Sequence, residues 1–285
     1  MTITLDRVAL EDVSLEPQKL AEWILGQIAY QHGQVPIAKI AYALGITEIR
    51  AERLTNLEGT LITTPERNRG AILINGTSSL QRRRYTVGHE LGHYLNPYHA
   101  DAGDKDRSCS KQDLSASFVA GADAHRRQEV EANRFAIEIL APRVRCRALI
   151  GPIPDIGEIL RMRQEFDISR EATARRYVEL HDEQVAVAFS KNGRLTYSVR
   201  SQSCPVLSVR KNEQLSLPQP PKSGAVTERS YVPADDWARR FRGELTLQTL
   251  FQQEGFAFTV LRFMPEEDEE PEIEDTYQRF ARFDA

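Results

Sequence analysis

The spacing of apolar residues changes several times along this chain, and each change predicts a different kind of element. From Pro17 to Gln31, Leu20, Ala21, Ile24 and Ile28 recur at helical spacing; after Gly33 a shorter helix runs through Ile37, Ile40, Ala41 and Leu44, and Gly45 ends it. Between Thr47 and Asn75 the pattern becomes that of short strands, at Ile49 to Leu54, Thr60 to Thr64 and Gly70 to Asn75, with turns at Glu58-Gly59 and Arg67-Asn68-Arg69-Gly70. At a sheet edge, Ala71 to Ile74 could hold an extended peptide by strand addition; as an inner strand it could not. Helical spacing returns in Tyr85, Val87, Leu91 and Leu95, with Ser78 or Ser79 as cap and Pro97 as stop, and again in Ala132, Phe135, Ala136, Ile139 and Leu140.

Further on, Pro154-Asp155 opens a helix carrying Ile156, Ile159, Leu160 and Phe166, and Asp167-Ile168-Ser169 caps another carrying Ala172, Thr173, Arg176, Tyr177 and Leu180. This is a helix-turn-helix arrangement, and Arg170, Arg175 and Arg176 could reach phosphates, but Glu171 and Glu179 share the segment, so packing is the expected role. Val185 to Ser190 and Leu195 to Val199 flank Asn192-Gly193, a hairpin signal; Pro218 to Gly224 reads as a linker, Trp237 to Arg240 as a short helix and Phe256 to Phe263 as a final strand. The predicted class is α+β. Residues 1–150 form the first domain, 151–182 a helical segment and 183–285 a β-rich region with an acidic run, Pro265 to Asp275, read as solvated.

Composition narrows the function classes. The chain has 285 residues, 41% hydrophobic and 27% charged, with 37 Lys plus Arg against 41 Asp plus Glu, so its charge of -4 offers no general attraction for nucleic acid or membrane. The three cysteines, Cys109, Cys146 and Cys204, are far apart and form no Cys-x-x-Cys pair, which fits a reducing compartment. With neither a signal-peptide h-region nor a spanning segment evident, the expected location is the cytoplasm. Arg82-Arg83-Arg84 reads as a solvated basic run.

The candidate chemistry lies in His89-Glu90-Leu91-Gly92-His93. On a helix, His89 and His93 lie one turn apart on one face, where both imidazoles can reach one cation, and Glu90 can act on a water beside it. A zinc hydrolase needs three protein ligands and one open position, with a carboxylate to carry the proton. Gly88 and Gly92 would let a neighbouring element come close to that face. For the third ligand the residues leave alternatives open. Glu131 borders the buried face of the helix around Ala132 to Leu140, and Glu129 competes with it. His99 completes a metzincin-like spacing with Asn96 in place of the turn-making Gly, although Pro97 disfavours that turn and neither Met162 nor Met264 sits in an evident Met-turn. Tyr98 is a candidate oxyanion donor.

Arg84 to Leu95, preceded by Gly70-Ala71-Ile72-Leu73-Ile74-Asn75 and followed by Glu129-Val130-Glu131-Ala132-Asn133-Arg134-Phe135-Ala136, resembles the ImmA/IrrE family of zinc-dependent regulatory peptidases. The likeness runs from about Val35 to Pro142; Gly88 departs from it, since Ala is commoner there. The resemblance implies a small thermolysin-like fold, Zn2+ held by His89, His93 and Glu131, Glu90 as catalytic base, and a protein substrate, one helix-turn-helix repressor of a stress or mobile-element response. Direct DNA binding is not expected. The rival reading is a non-cleaving anti-repressor or toxin-antitoxin component that keeps zinc for structure.

Overall fold

The computed structural model of the chain describes residues 3–6, 9, 13–28, 30, 32–99, 107–110, 113–115, 124–218 and 225–266. The chain divides into two compact units, Met1–Asp182 and Glu183–Ala285. The class is α+β, as the residue pattern predicts.

The first unit opens with two short helices. Helix α1 (Pro17–Gly26) places proline in its first turn, where the missing N–H costs nothing, and buries Leu20, Ala21 and Ile24. Helix α2 (Ile37–Ala43) stops ahead of Gly45, whose φ of 103° no L side chain adopts readily. The first sheet follows, with strands β1 (Ile46–Glu52), β2 (Gly59–Thr63), β3 (Gly70–Asn75) and β4 (Arg107–Cys109) in the order β1-β3-β2-β4. Strand β3 pairs in parallel with β1 and antiparallel with β2, so Ala71 to Ile74 is an inner strand and its backbone is not open to a peptide. Of the described strands, β4 and β1 form the edges.

Helices α3 (Leu80–Leu95) and α4 (Ala124–Leu140) pack side by side; α3 also contacts β2 and β3, and α1 lies on α4. Helices α5 (Arg143–Arg147), α6 (Ile156–Phe166) and α7 (Arg170–Leu180) complete the unit. The expected caps form: Asp155 Oδ1 accepts from the Gly157 N–H at 2.7 Å, and Ser169 Oγ from the Ala172 N–H at 3.1 Å. Arg176 is wholly buried and held by Glu138, which removes it from any phosphate-contacting surface. The basic run is also less solvated than expected. Arg83 donates to the Ser78 and Gly76 carbonyls, and Arg84 to Gln34 and to the Val35 carbonyl.

The second unit holds a five-stranded antiparallel sheet in the order β6-β5-β9-β8-β7, from β5 (Gln184–Lys191), β6 (Arg194–Arg200), β7 (Ser230–Val232), β8 (Gly243–Phe251) and β9 (Phe256–Pro265). The predicted hairpin is present, with Asn192 and Gly193 at φ 52° and 72°. The helix expected at Trp237 to Arg240 is not; a 3-10 turn spans Ala234–Asp236, and Trp237 is driven into the core with Leu245, Leu261 and Phe263. Most of the stretch between Pro97 and Ala124, the linker beyond Pro218 and the acidic run beyond Glu266 lie outside the described residues. Among the described residues no helix is long and apolar enough to cross a membrane.

Candidate metal centre

Helix α3 is built to hold its last two turns still. Ser79 Oγ accepts from the Arg82 N–H at 3.3 Å at one end. At the other, Asn96 leaves the helix with ψ 107°, and the Arg67 guanidinium donates to the carbonyls of His93, Tyr94 and Asn96, groups that the helix itself cannot satisfy. Arg67 reaches them from a turn in which its own φ is 49°. Every residue from Thr86 to Leu95 is buried.

The two glycines set the distance to α4. A Cβ on Gly92 would lie 3.1 Å from Phe135 Cδ1 and 3.2 Å from Ala132 Cα, and one on Gly88 would touch Ala136 Cα at 3.4 Å. Glycine facing alanine brings the helices into backbone contact, as the sequence suggested. Glu129 lies one turn before Ala132 on the same face of α4, so this seam carries its carboxylate to the histidines.

There, His89 Nε2 and His93 Nε2 are 3.1 Å apart, and Glu129 places Oε2 3.2 Å from the first and Oε1 3.3 Å from the second. One donor atom from each residue lies within 4.8 Å of the others, and all three residues are buried. His89 Nδ1 sits 3.0 Å from Asn133 Oδ1, an oxygen that also accepts from the Tyr85 hydroxyl, while Asn133 Nδ2 donates to the Asp113 carbonyl at 2.7 Å. An amide oxygen can only accept, so the proton of neutral His89 sits on Nδ1 and the Nε2 lone pair faces the cluster. Burial, the largest influence, pushes His93 down to about 3, which keeps its imidazole neutral. Two imidazoles and one carboxylate facing a common point form a donor set suited to a divalent cation of the zinc type.

Glu131, expected from the sequence as the third donor, is not in this cluster. Its Oε2 lies 2.9 Å from His99 Nε2 and 3.2 Å from Asn96 Nδ2, and its side chain is 48% exposed. The reason is helical phase: two residues apart on a helix means about 200° around it. Glu129 shares the α3-facing side with Ala132 and Ala136, whereas Glu131 falls on the rim. His99, the metzincin-like alternative, is also outside the cluster; its Nδ1 stands 3.1 Å from His93 Nδ1, behind the ring. Tyr98 is 76% exposed.

Glu90, next to His89, is buried on the side of α3 that meets β2. A Cβ on Gly59 would lie 2.3 Å from Thr86 Cγ2 and 2.9 Å from Glu90 Oε1, so only glycine lets the strand pass there. The residue pattern puts Gly59 in a turn and points to no role for Asn133 or, beyond its turn, for Arg67. Asn133 could have been suspected, since a polar residue on an otherwise apolar face needs a partner.

Residues 44–177 match the family described as Peptidase_M78, the IrrE N-terminal-like domain. The resemblance to ImmA/IrrE peptidases therefore holds over this stretch, which contains α3, α4 and the whole donor cluster. No curated protein matches the chain.

Proposed function

We propose that the first unit is a metal-dependent endopeptidase in which His89, His93 and Glu129 hold a zinc ion and Glu90 is the catalytic base. The observation that carries this reading is the convergence of two imidazole nitrogens and a carboxylate at 3.1 to 3.3 Å in a buried site, inside a segment that matches a peptidase family. Bound there, zinc would polarise the scissile carbonyl and make the attacking water acidic. Glu90 takes the proton from that water as it attacks and delivers it to the leaving amine, so the peptide C–N bond breaks and the carboxylate returns to its starting state. Asn133 fixes the His89 ring throughout. The substrate in this reading is a single protein, a helix-turn-helix repressor, as the resemblance to ImmA/IrrE peptidases suggests.

The test compares cells expressing wild-type protein with cells expressing Glu90→Gln, which keeps the side chain's shape and removes the base. The purified variant should contain as much zinc as the wild type. A new protein N-terminus, found by mass spectrometry inside one repressor, should appear with the wild type and be absent with the variant. Equal derepression by both proteins with no new N-terminus would replace this reading with the non-cleaving one.

A further inference from the structure

The contacts behind His93 form a chain that ends at the protein surface. Glu131 Oε2 lies 2.9 Å from His99 Nε2, and His99 Nδ1 lies 3.1 Å from His93 Nδ1. His93 Nε2 is the nitrogen that faces His89 and Glu129. His93 and His99 are each about 2% exposed, whereas Glu131 stands at the rim.

Among these contacts, donor and acceptor chemistry favours one arrangement when the histidines are neutral. An ionised carboxylate only accepts, so His99 carries its proton on Nε2 and directs it to Glu131. Asn96 Nδ2, 3.0 Å from the same His99 nitrogen and 3.2 Å from the same carboxylate oxygen, directs its hydrogen to that oxygen as well. His99 Nδ1 is then a lone pair and accepts from His93 Nδ1–H. His93 in turn presents a lone pair at Nε2, the form a cation requires. The opposite tautomers would leave Glu131 facing a lone pair and would put a proton between His93 and the donor cluster.

We infer that Glu131 and His99 are positioning residues for the metal centre: a carboxylate–histidine–histidine relay that fixes the tautomer and ring orientation of His93. The inference rests on the zinc reading above. It gives the acidic pair on α4 two separate duties, with Glu129 in the donor set and Glu131 two steps behind it. It also explains why His99 is buried beside the cluster without joining it. His89 is held on its own side by the Asn133 amide, so the two imidazoles are oriented by different means.

Zinc affinity of the purified full chain, measured by competition with a chromogenic chelator, tests the relay together with 15N NMR of the His93 ring in metal-free protein. Glu131→Ala and His99→Ala should weaken zinc by about 10- to 100-fold, the usual range for losing an outer partner of a ligating histidine. The His93 signals should move from the Nδ1–H form towards a mixture. Glu131→Gln, whose amide oxygen accepts the same bond, should restore the wild-type tautomer and bring affinity back to within about threefold. Wild-type affinity in Glu131→Ala, with wild-type zinc binding intact, would overturn the relay alone. Equal loss in Glu131→Gln and Glu131→Ala, with zinc retained by Glu129→Ala, would make Glu131 a direct ligand and overturn it too. A wild-type chain that takes up no zinc would overturn the metal reading and the relay with it.

Discussion

Glu129 and Glu138 lie towards opposite ends of α4, both buried, yet their surroundings differ in kind. Glu138 meets a full set of cations: Arg176 Nη2 at 2.5 Å, Arg134 Nη2 at 2.8 Å and Arg143 Nε at 3.2 Å. Arg176 also donates to the Ala141 carbonyl at 2.9 Å, and Glu179 joins the same three arginines. Glu129 meets imidazoles: His89 and His93, of which His93 is kept neutral by burial, and the exposed His125, whose Nε2 lies 3.8 Å from Oε1. Among the described residues, one carboxylate has its countercharge supplied by permanently charged guanidinium groups, and the other faces imidazoles and no arginine or lysine. A buried carboxylate therefore reads as structural or functional according to whether its neighbours carry charge of their own.

The largest effect should come from exchanging the two sites' fates. Glu129→Gln should weaken zinc by more than about 100-fold while leaving folding of the metal-free chain near wild type, and Glu138→Gln should do the reverse; metal analysis and urea unfolding read the two outcomes. Zinc loss in both variants would erase the distinction. Next in size, Arg176→Met leaves Glu138 buried with its main partner removed, and should cost about 3–5 kcal/mol in urea unfolding with little change in zinc content. A cost below about 1 kcal/mol would mean that Arg134 and Arg143 suffice.

The smallest effect concerns acid. Burial by itself would raise the Glu179 carboxyl, but Arg176 and Arg134, with Arg143, more than offset it and hold it below its ordinary 4.5. A folded value lower than the unfolded one contributes stability above that ordinary value, which is lost as pH falls through the folded value. Glu179→Gln should therefore lower stability in neutral solution, flatten the fall below about pH 4.5 and leave the most acid region least affected, as pH-dependent unfolding can establish.

How legible the chain was follows the same divide between local and long-range causes. The α3 cap and the Asn192-Gly193 hairpin are set by neighbours in sequence, and their residues announced them; Gly88 and Gly92 announced a close approach without naming the helix that makes it. The donor set was legible up to His89, His93 and the acidic pair at 129 and 131. Choosing between the two acids depends on the phase of α4 against α3, which the seam fixes and a count along the chain does not. Arg176 misled for a related reason: a charge on a helix reads as solvent-facing until the buried acid on another helix is known. Strand β8 escaped because its partner β9 lies beyond a tight turn at Glu254 and Gly255, and its mixed apolar pattern carries no signal as clear as Asn-Gly.

The seam between α3 and α4 also ties the centre to the lifetime of the whole unit. A cation gripped by His89 and His93 on one helix and by Glu129 on the other resists the separation of those helices, which unfolding requires. By mass action, a free concentration about a hundred times the dissociation constant adds about 2.7 kcal/mol to the folded state. Cellular metal supply would then govern how long the chain survives proteolysis, as well as whether it can act.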